Sequence, residues 1–103
     1  MASDPILARI KAELQRLYGS RLQDAILYGS RARGDARPDS DHDVAVVLKD
    51  YDDDFQEVYR LADLEYDLLL ETGAAISAYP FAPSDLTKRT LFMHNLRTEG
   101  VPL

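Results

Sequence analysis

Cysteine and tryptophan are both missing from the 103 residues, and glycine and proline number five each. The absence of thiols excludes disulfides and thiolate metal centres and fits a reducing compartment, so a cytoplasmic location is expected. Positive charge is also short: 12 Lys and Arg stand against 18 Asp and Glu, a formal net charge of -6. Non-specific nucleic-acid binding rests on a basic stripe, so no direct nucleic-acid partner is expected and template-directed polymerisation is disfavoured. No long apolar run occurs either. Asp4, Arg9, Lys11 and Glu13 interrupt the first apolar stretch, which reads neither as a signal peptide nor as a membrane span.

What is present is the composition of a folded chain, 46% hydrophobic and 29% charged. The length suits one domain over residues 1–103 whose core is small enough for a partner chain to contribute stability. From Asp4 to Tyr18 the pattern is an amphipathic helix, with Asp4 as N-cap, Pro5 at the first helical position, and Ile6, Ile10, Leu14 and Leu17 on one face. Gly19-Ser20 ends it. Arg21 to Asp24 leads into a short apolar strand predicted over Ala25 to Tyr28, and a second strand is predicted from about His42 to Leu48. Asp50, Asp52, Asp53 and Asp54 form an acidic loop, and Asp54-x-x-Glu57 has the form of a capping box. It opens a helix over Phe55 to about Thr72, with Val58, Leu61, Leu64, Leu68 and Leu69 inward and Gly73 as its C-cap. Ala74 to Phe81 reads as a third strand. A helical pattern broken near Thr87 to Leu91 then runs from Ser84 to Glu99 and stops at Gly100.

The residues able to carry chemistry gather between Leu27 and Leu48. Side chains alternate along a strand, so Asp41 and Asp43 share a face with Cα atoms roughly 6.5 to 7 Å apart, while His42 points the other way and is not counted as a ligand. Two carboxylates at that spacing suit one Mg²⁺, or two ions about 3.5 to 4 Å apart as in two-metal phosphoryl sites. Without a cation they would repel. Gly29-Ser30 closes the first strand and precedes a helix-compatible stretch, Ser30 to Arg33. Glycine allows close backbone approach, a helix start favours an anion, and the Ser30 hydroxyl adds a donor, which together would seat a triphosphate. Arg31, Arg33 and Arg37 follow, with planar guanidinium groups suited to phosphate oxygens. Tyr28, next to Gly29, reads as a core or rim aromatic, with stacking on a base as the alternative.

Gly29-Ser30, ten intervening residues and then Asp41-x-Asp43 resembles the signature of the DNA-polymerase-β-like nucleotidyltransferase superfamily. Gly29-Ser30-Arg31-Ala32-Arg33-Gly34 with Ser40-Asp41-His42-Asp43 is similar to the minimal nucleotidyltransferases of prokaryotes, MntA-type antitoxins of HEPN/MNT pairs among them, and Asn95 to Val101 resembles their carboxyl end. The resemblance implies an α/β (α+β) fold, a small mixed β-sheet flanked by helices. It implies ATP as substrate and Mg²⁺ at Asp41 and Asp43, with nucleotide contacts from Gly29, Ser30, Arg31, Arg33 and Ser40. It also implies transfer of AMP to a hydroxyl, a tyrosine of a HEPN-family toxin.

One departure stands out. The superfamily places a third carboxylate on the strand after the Asp pair, and Ala74 to Phe81 has no acid. Two further readings therefore stay open beside protein adenylylation. One is an antitoxin that binds nucleotide and neutralises its toxin by docking alone; the other is an antibiotic-type transferase acting on a small molecule, disfavoured because such enzymes are normally larger. Assembly as a homodimer or hetero-oligomer is also left open.

Overall fold

Asp4 and Pro5 start the first described element of the computed structural model, which describes residues 4–51 and 54–103. Helix α1 (Pro5–Tyr18) is capped as its sequence requires: the Asp4 carboxylate accepts the Ile6 N–H at 2.9 Å. Gly19, at φ 55, ends it. A 3₁₀ turn (Gly19–Arg21) leads into β1 (Leu22–Tyr28), followed by the single turn α2 (Ser30–Arg33) and β2 (His42–Leu48). Helix α3 (Asp54–Thr72), β3 (Ile76–Phe81), a 3₁₀ turn (Pro83–Thr87), α4 (Leu91–Glu99) and β4 (Val101–Pro102) complete the order.

The strands form one mixed sheet in the order β3-β2-β1-β4. β2 lies at its centre, antiparallel to β1 and parallel to β3, and Val44 to Leu48 are buried throughout. α1 and α3 cover one face, where Ile10, Leu14, Leu61, Leu64 and Leu68 pack with Leu27, Val44 and Val46. On the other face Met93 and Leu96 of α4 pack with Ala45, Ile26 and Phe81. A fully buried leucine stabilises by about 1.5–3 kcal/mol, so Leu61, Leu64 and Leu68 alone anchor α3. Among the described residues no helix is long and apolar enough to cross a membrane.

The structure corrects the sequence reading at several points. β1 starts at Leu22 instead of Ala25, taking in residues assigned to a loop, because Leu22 pairs with Leu48 and a register shift between Leu22 and Asp24 accommodates the polar residues. β3 starts at Ile76. Val58 and Leu69, expected inward, are 46% and 44% exposed. In their stead Glu57 is buried at 2%, its carboxylate bonded by Arg21 at 2.7 Å and Arg60 at 3.2 Å. A buried carboxylate must be paired to be tolerated, and Arg21 ties the entry of β1 to α3 through it. The loop acids Asp52 and Asp53 lie outside the described residues, as does the Asp54 side chain on which the expected capping box depends.

Candidate active site

Pairing of β1 with β2 sets Tyr28 opposite Asp43, and pairing of β2 with β3 sets Ser77 beside it. Gly29 therefore lies directly over the Asp43 carboxylate. A Cβ added to Gly29 would overlap Asp43 Oδ2 and stand 3.3 Å from its carboxyl carbon. The Gly29 backbone, φ 75 and ψ -157, also occupies a region essentially restricted to glycine. Space and dihedral both demand glycine here. The Ala32 and Arg33 N–H groups close back on the Gly29 carbonyl, each at 3.1 Å, and start α2 at Ser30.

Asp41 stands exposed immediately before β2, where Ser77 Oγ donates to its Oδ2 at 3.0 Å. Asp43 is half-buried. Burial first, and then the neighbouring Asp41, raise its carboxyl above the ordinary carboxylate range, against the opposing pull of Arg33 and His42. The two acids thus share one neighbourhood, as the period-two argument requires. Among the described residues no group of three or more His, Asp or Glu side chains gathers as a metal site. A pair of carboxylates nevertheless fits Mg²⁺, which takes one or two carboxylates, substrate phosphate oxygens and water. His42 faces away: its ring is buried against α1, with Nε2 3.3 Å from Asp4 Oδ2.

The arginines divide between two tasks. Arg33 lines a cavity of about 240 Å³ with Tyr28, Gly29, Phe92, Asn95 and Glu99. Its guanidinium is loosely held, 3.3 Å from Asp35 and 3.5 Å from Glu99. Arg31 instead donates to the carbonyls of Ser40 at 3.0 Å, Pro38 at 3.2 Å and Arg37 at 3.4 Å. Ser40 Oγ accepts the Arg37 N–H at 2.9 Å. Gly29 and Arg33 are therefore grouped beside Asp43, with Ser30 starting α2 between them in sequence, whereas Arg31 and Ser40 brace the loop that delivers Asp41.

Besides Ser77, three residues at or beside the site escaped the sequence reading. Phe92 meets Tyr28 edge-on at 5.4 Å and stacks on Phe81 at 5.8 Å, and Asn95 follows it into the same cavity. Their spacing with Glu99 along α4 is the helical i, i+3, i+7 that puts all three on one face. That signal was available. Tyr28 itself is half-buried, its hydroxyl pushed up to about 12 by burial, then by Asp43 and Tyr79. The third is Glu65 on α3, whose carboxylate accepts the Ala78 N–H at 2.7 Å, one residue beyond Ser77. Burial raises its carboxyl, the Ala78 bond opposes this, and Asp41 reinforces it. β3 carries no acid, as its sequence foretold, and Ser77 stands where it faces the pair.

The sequence model of the family described as "Nucleotidyltransferase domain" matches residues 7–94. Among solved structures, a toxin–antitoxin with AMP-PNP is 22% identical, covers 90% of this chain and 68% of its own, and superposes with a TM-score of 0.64. A mutant form of the toxin–antitoxin MntA-HpeT is 20% identical, with 89% and 68% covered and a TM-score of 0.63. A protein from Sulfolobus solfataricus described as a nucleotidyltransferase is 18% identical, with 95% and 76% covered and a TM-score of 0.67. These likenesses show a common fold. No curated protein matches by sequence. With the family's sequence pattern spanning all but the chain's ends, and a Gly-Ser turn set over paired carboxylates, this chain belongs to the nucleotidyltransferase domain family.

Proposed function

We propose that the chain transfers AMP from ATP to a hydroxyl of a partner protein, a tyrosine of a HEPN-type toxin, and acts as that toxin's antitoxin. The observation that carries this reading is the seat formed by Gly29 over Asp43, with Asp41 beside it and Arg33 opening the adjoining cavity. Resemblance to toxin–antitoxin structures, one with AMP-PNP, supports the partner and the nucleotide.

In this reading the triphosphate rests on Gly29 and Ser30, and Arg33 reaches its oxygens from the cavity side. Tyr28 and Phe92 supply aromatic surface there for the base, and Asn95 a hydrogen-bonding edge. Asp41 and Asp43 would hold Mg²⁺, which would supply neutralisation of charge on the phosphate oxygens. The acceptor oxygen attacks the α-phosphorus, the bond from that phosphorus to the bridging oxygen breaks, and pyrophosphate leaves. With both carboxylates assigned to Mg²⁺ and no acid on β3, the hydroxyl proton is released to solvent. Glu65 is a positioning residue: it fixes Ala78 and thereby Ser77, which orients Asp41.

Ser77 in place of an acid favours one competing reading, an antitoxin that binds nucleotide and silences its toxin by docking alone. Calorimetry tests the nucleotide seat common to both. Asp41→Asn with Asp43→Asn is expected to abolish Mg²⁺-dependent ATP binding with folding intact. Unchanged affinity would remove the metal assignment.

A further inference from the structure

Helix α3 has two apolar faces. Leu61, Leu64 and Leu68 look into the core. On the opposite side Phe55 is 79% exposed, Tyr59 72%, Tyr66 61% and Leu70 68%. Phe55, Tyr59, Ala62, Tyr66 and Leu69 recur at intervals of four, three, four and three, the spacing with which one helix offers a seam to another. Large apolar side chains scattered singly need no explanation, but a stripe of aromatics and leucines running the length of a helix has the composition of an interface.

The stripe leads to the active site. Val58 and Ala62 line a cavity of about 190 Å³ with Glu65, Ser77 and Tyr79, and Ser77 donates to Asp41. A protein seated on α3 would therefore stand next to the carboxylate pair. The borders of the stripe are acidic, with Asp63 and Asp67 along one side and Glu65 along the other. Among the described residues neither Asp63 nor Asp67 forms an ion pair, and the one basic residue of α3, Arg60, is spent on Glu57. A second copy of this chain would bring the same acids against these borders and a net charge of -6 of its own.

We propose that the outer face of α3 is the docking surface for an amphipathic helix of the acceptor protein, one whose apolar stripe is bordered by Lys and Arg. The proposal rests on the protein-acceptor reading given above. Docking there delivers the acceptor hydroxyl from the β3 side, while the nucleotide enters from the α4 side through the cavity beside Arg33.

The test uses the full chain and the toxin co-expressed with it. Tyr59→Glu and Tyr66→Glu lie at exposed positions outside the nucleotide seat. Each is expected to weaken the complex by about 30-fold or more, the range for an interface tyrosine that anchors binding, with Mg²⁺-dependent ATP affinity unchanged. Asp63→Lys with Asp67→Lys is expected to slow association at low salt. Wild-type-like toxin affinity in both tyrosine variants would overturn the docking surface and leave the antitoxin reading standing. A dimer of the chain alone, dissolved by Tyr66→Glu in sedimentation, would overturn it in favour of a second copy. Failure of the wild type to bind toxin while it binds ATP would instead overturn the antitoxin reading, and the docking surface with it.

Discussion

Gly29→Ala is the change whose consequences follow most directly from the geometry. The residue sits at φ 75 and ψ -157, and a side chain forced into that region costs about 1–3 kcal/mol. At about 4–8 °C per kcal/mol for a chain of this size, the melting temperature should fall by roughly 5–20 °C. The added methyl also overlaps Asp43 Oδ2. The backbone there cannot yield freely, since Tyr28 is paired with Asp43 and the Gly29 carbonyl holds two N–H groups at 3.1 Å. The carboxylate must move, which costs on the order of 10²-fold in rate for a displacement of about 1 Å and takes Asp43 out of the Mg²⁺ seat on which ATP affinity depends. Gly34→Ala is the matched control. Gly34 also has positive φ, at 88, but a Cβ there meets nothing within 4 Å, so it should lose about 1 kcal/mol of stability and no ATP affinity. Denaturant unfolding and calorimetry with Mg²⁺ and ATP report the two effects separately. Equal ATP affinity in the two variants would refute the claim that Gly29 is reserved for the Asp43 carboxylate.

Arg33→Ala should weaken ATP more than adenosine, because its guanidinium is assigned to phosphate oxygens; equal losses in calorimetry would place the side chain elsewhere. Glu65 allows a test by pH. Its carboxyl is raised from an ordinary value of 4.5, so the fold favours its neutral form, and that contribution is full below pH 4.5 and is lost as pH rises through the raised value. Glu65→Gln keeps an oxygen for the Ala78 N–H and does not titrate. Its stability relative to wild type should therefore increase from about pH 4.5 upward, and a difference flat across that window would contradict the burial of Glu65.

The local signals were legible wherever one residue type had one use. Asp4 and Pro5 marked the start of α1, the apolar run after His42 marked β2 to the residue, and alternation placed His42 away from Asp41 and Asp43. The Gly-Ser turn and the carboxylate pair were visible because both sit on neighbouring strands of a short segment. What was obscured depended on contacts distant in sequence. The polar start of β1 gave no strand pattern, and only pairing with β2 draws it into the sheet. Val58 and Leu69 carry the same apolar label as Leu61 and Leu68, yet α3 has apolar residues on two sides, and the sheet selects one. Glu65 was invisible as a neighbour of the site because its link to Ala78 spans 13 positions from helix to strand edge. Arg31 and Arg33 are two residues apart on a single helical turn, so they point in different directions, and composition alone could not assign one to the loop and the other to the cavity.

Transfer by the Asp41 and Asp43 pair is tested most directly by intact-mass measurement of the co-expressed toxin after incubation with ATP and Mg²⁺. With the wild-type chain, the toxin should gain the mass of one or more AMP units; with Asp41→Asn and Asp43→Asn together, it should gain none. A stable complex whose toxin never gains mass would contradict transfer and assign the chain's action to docking alone.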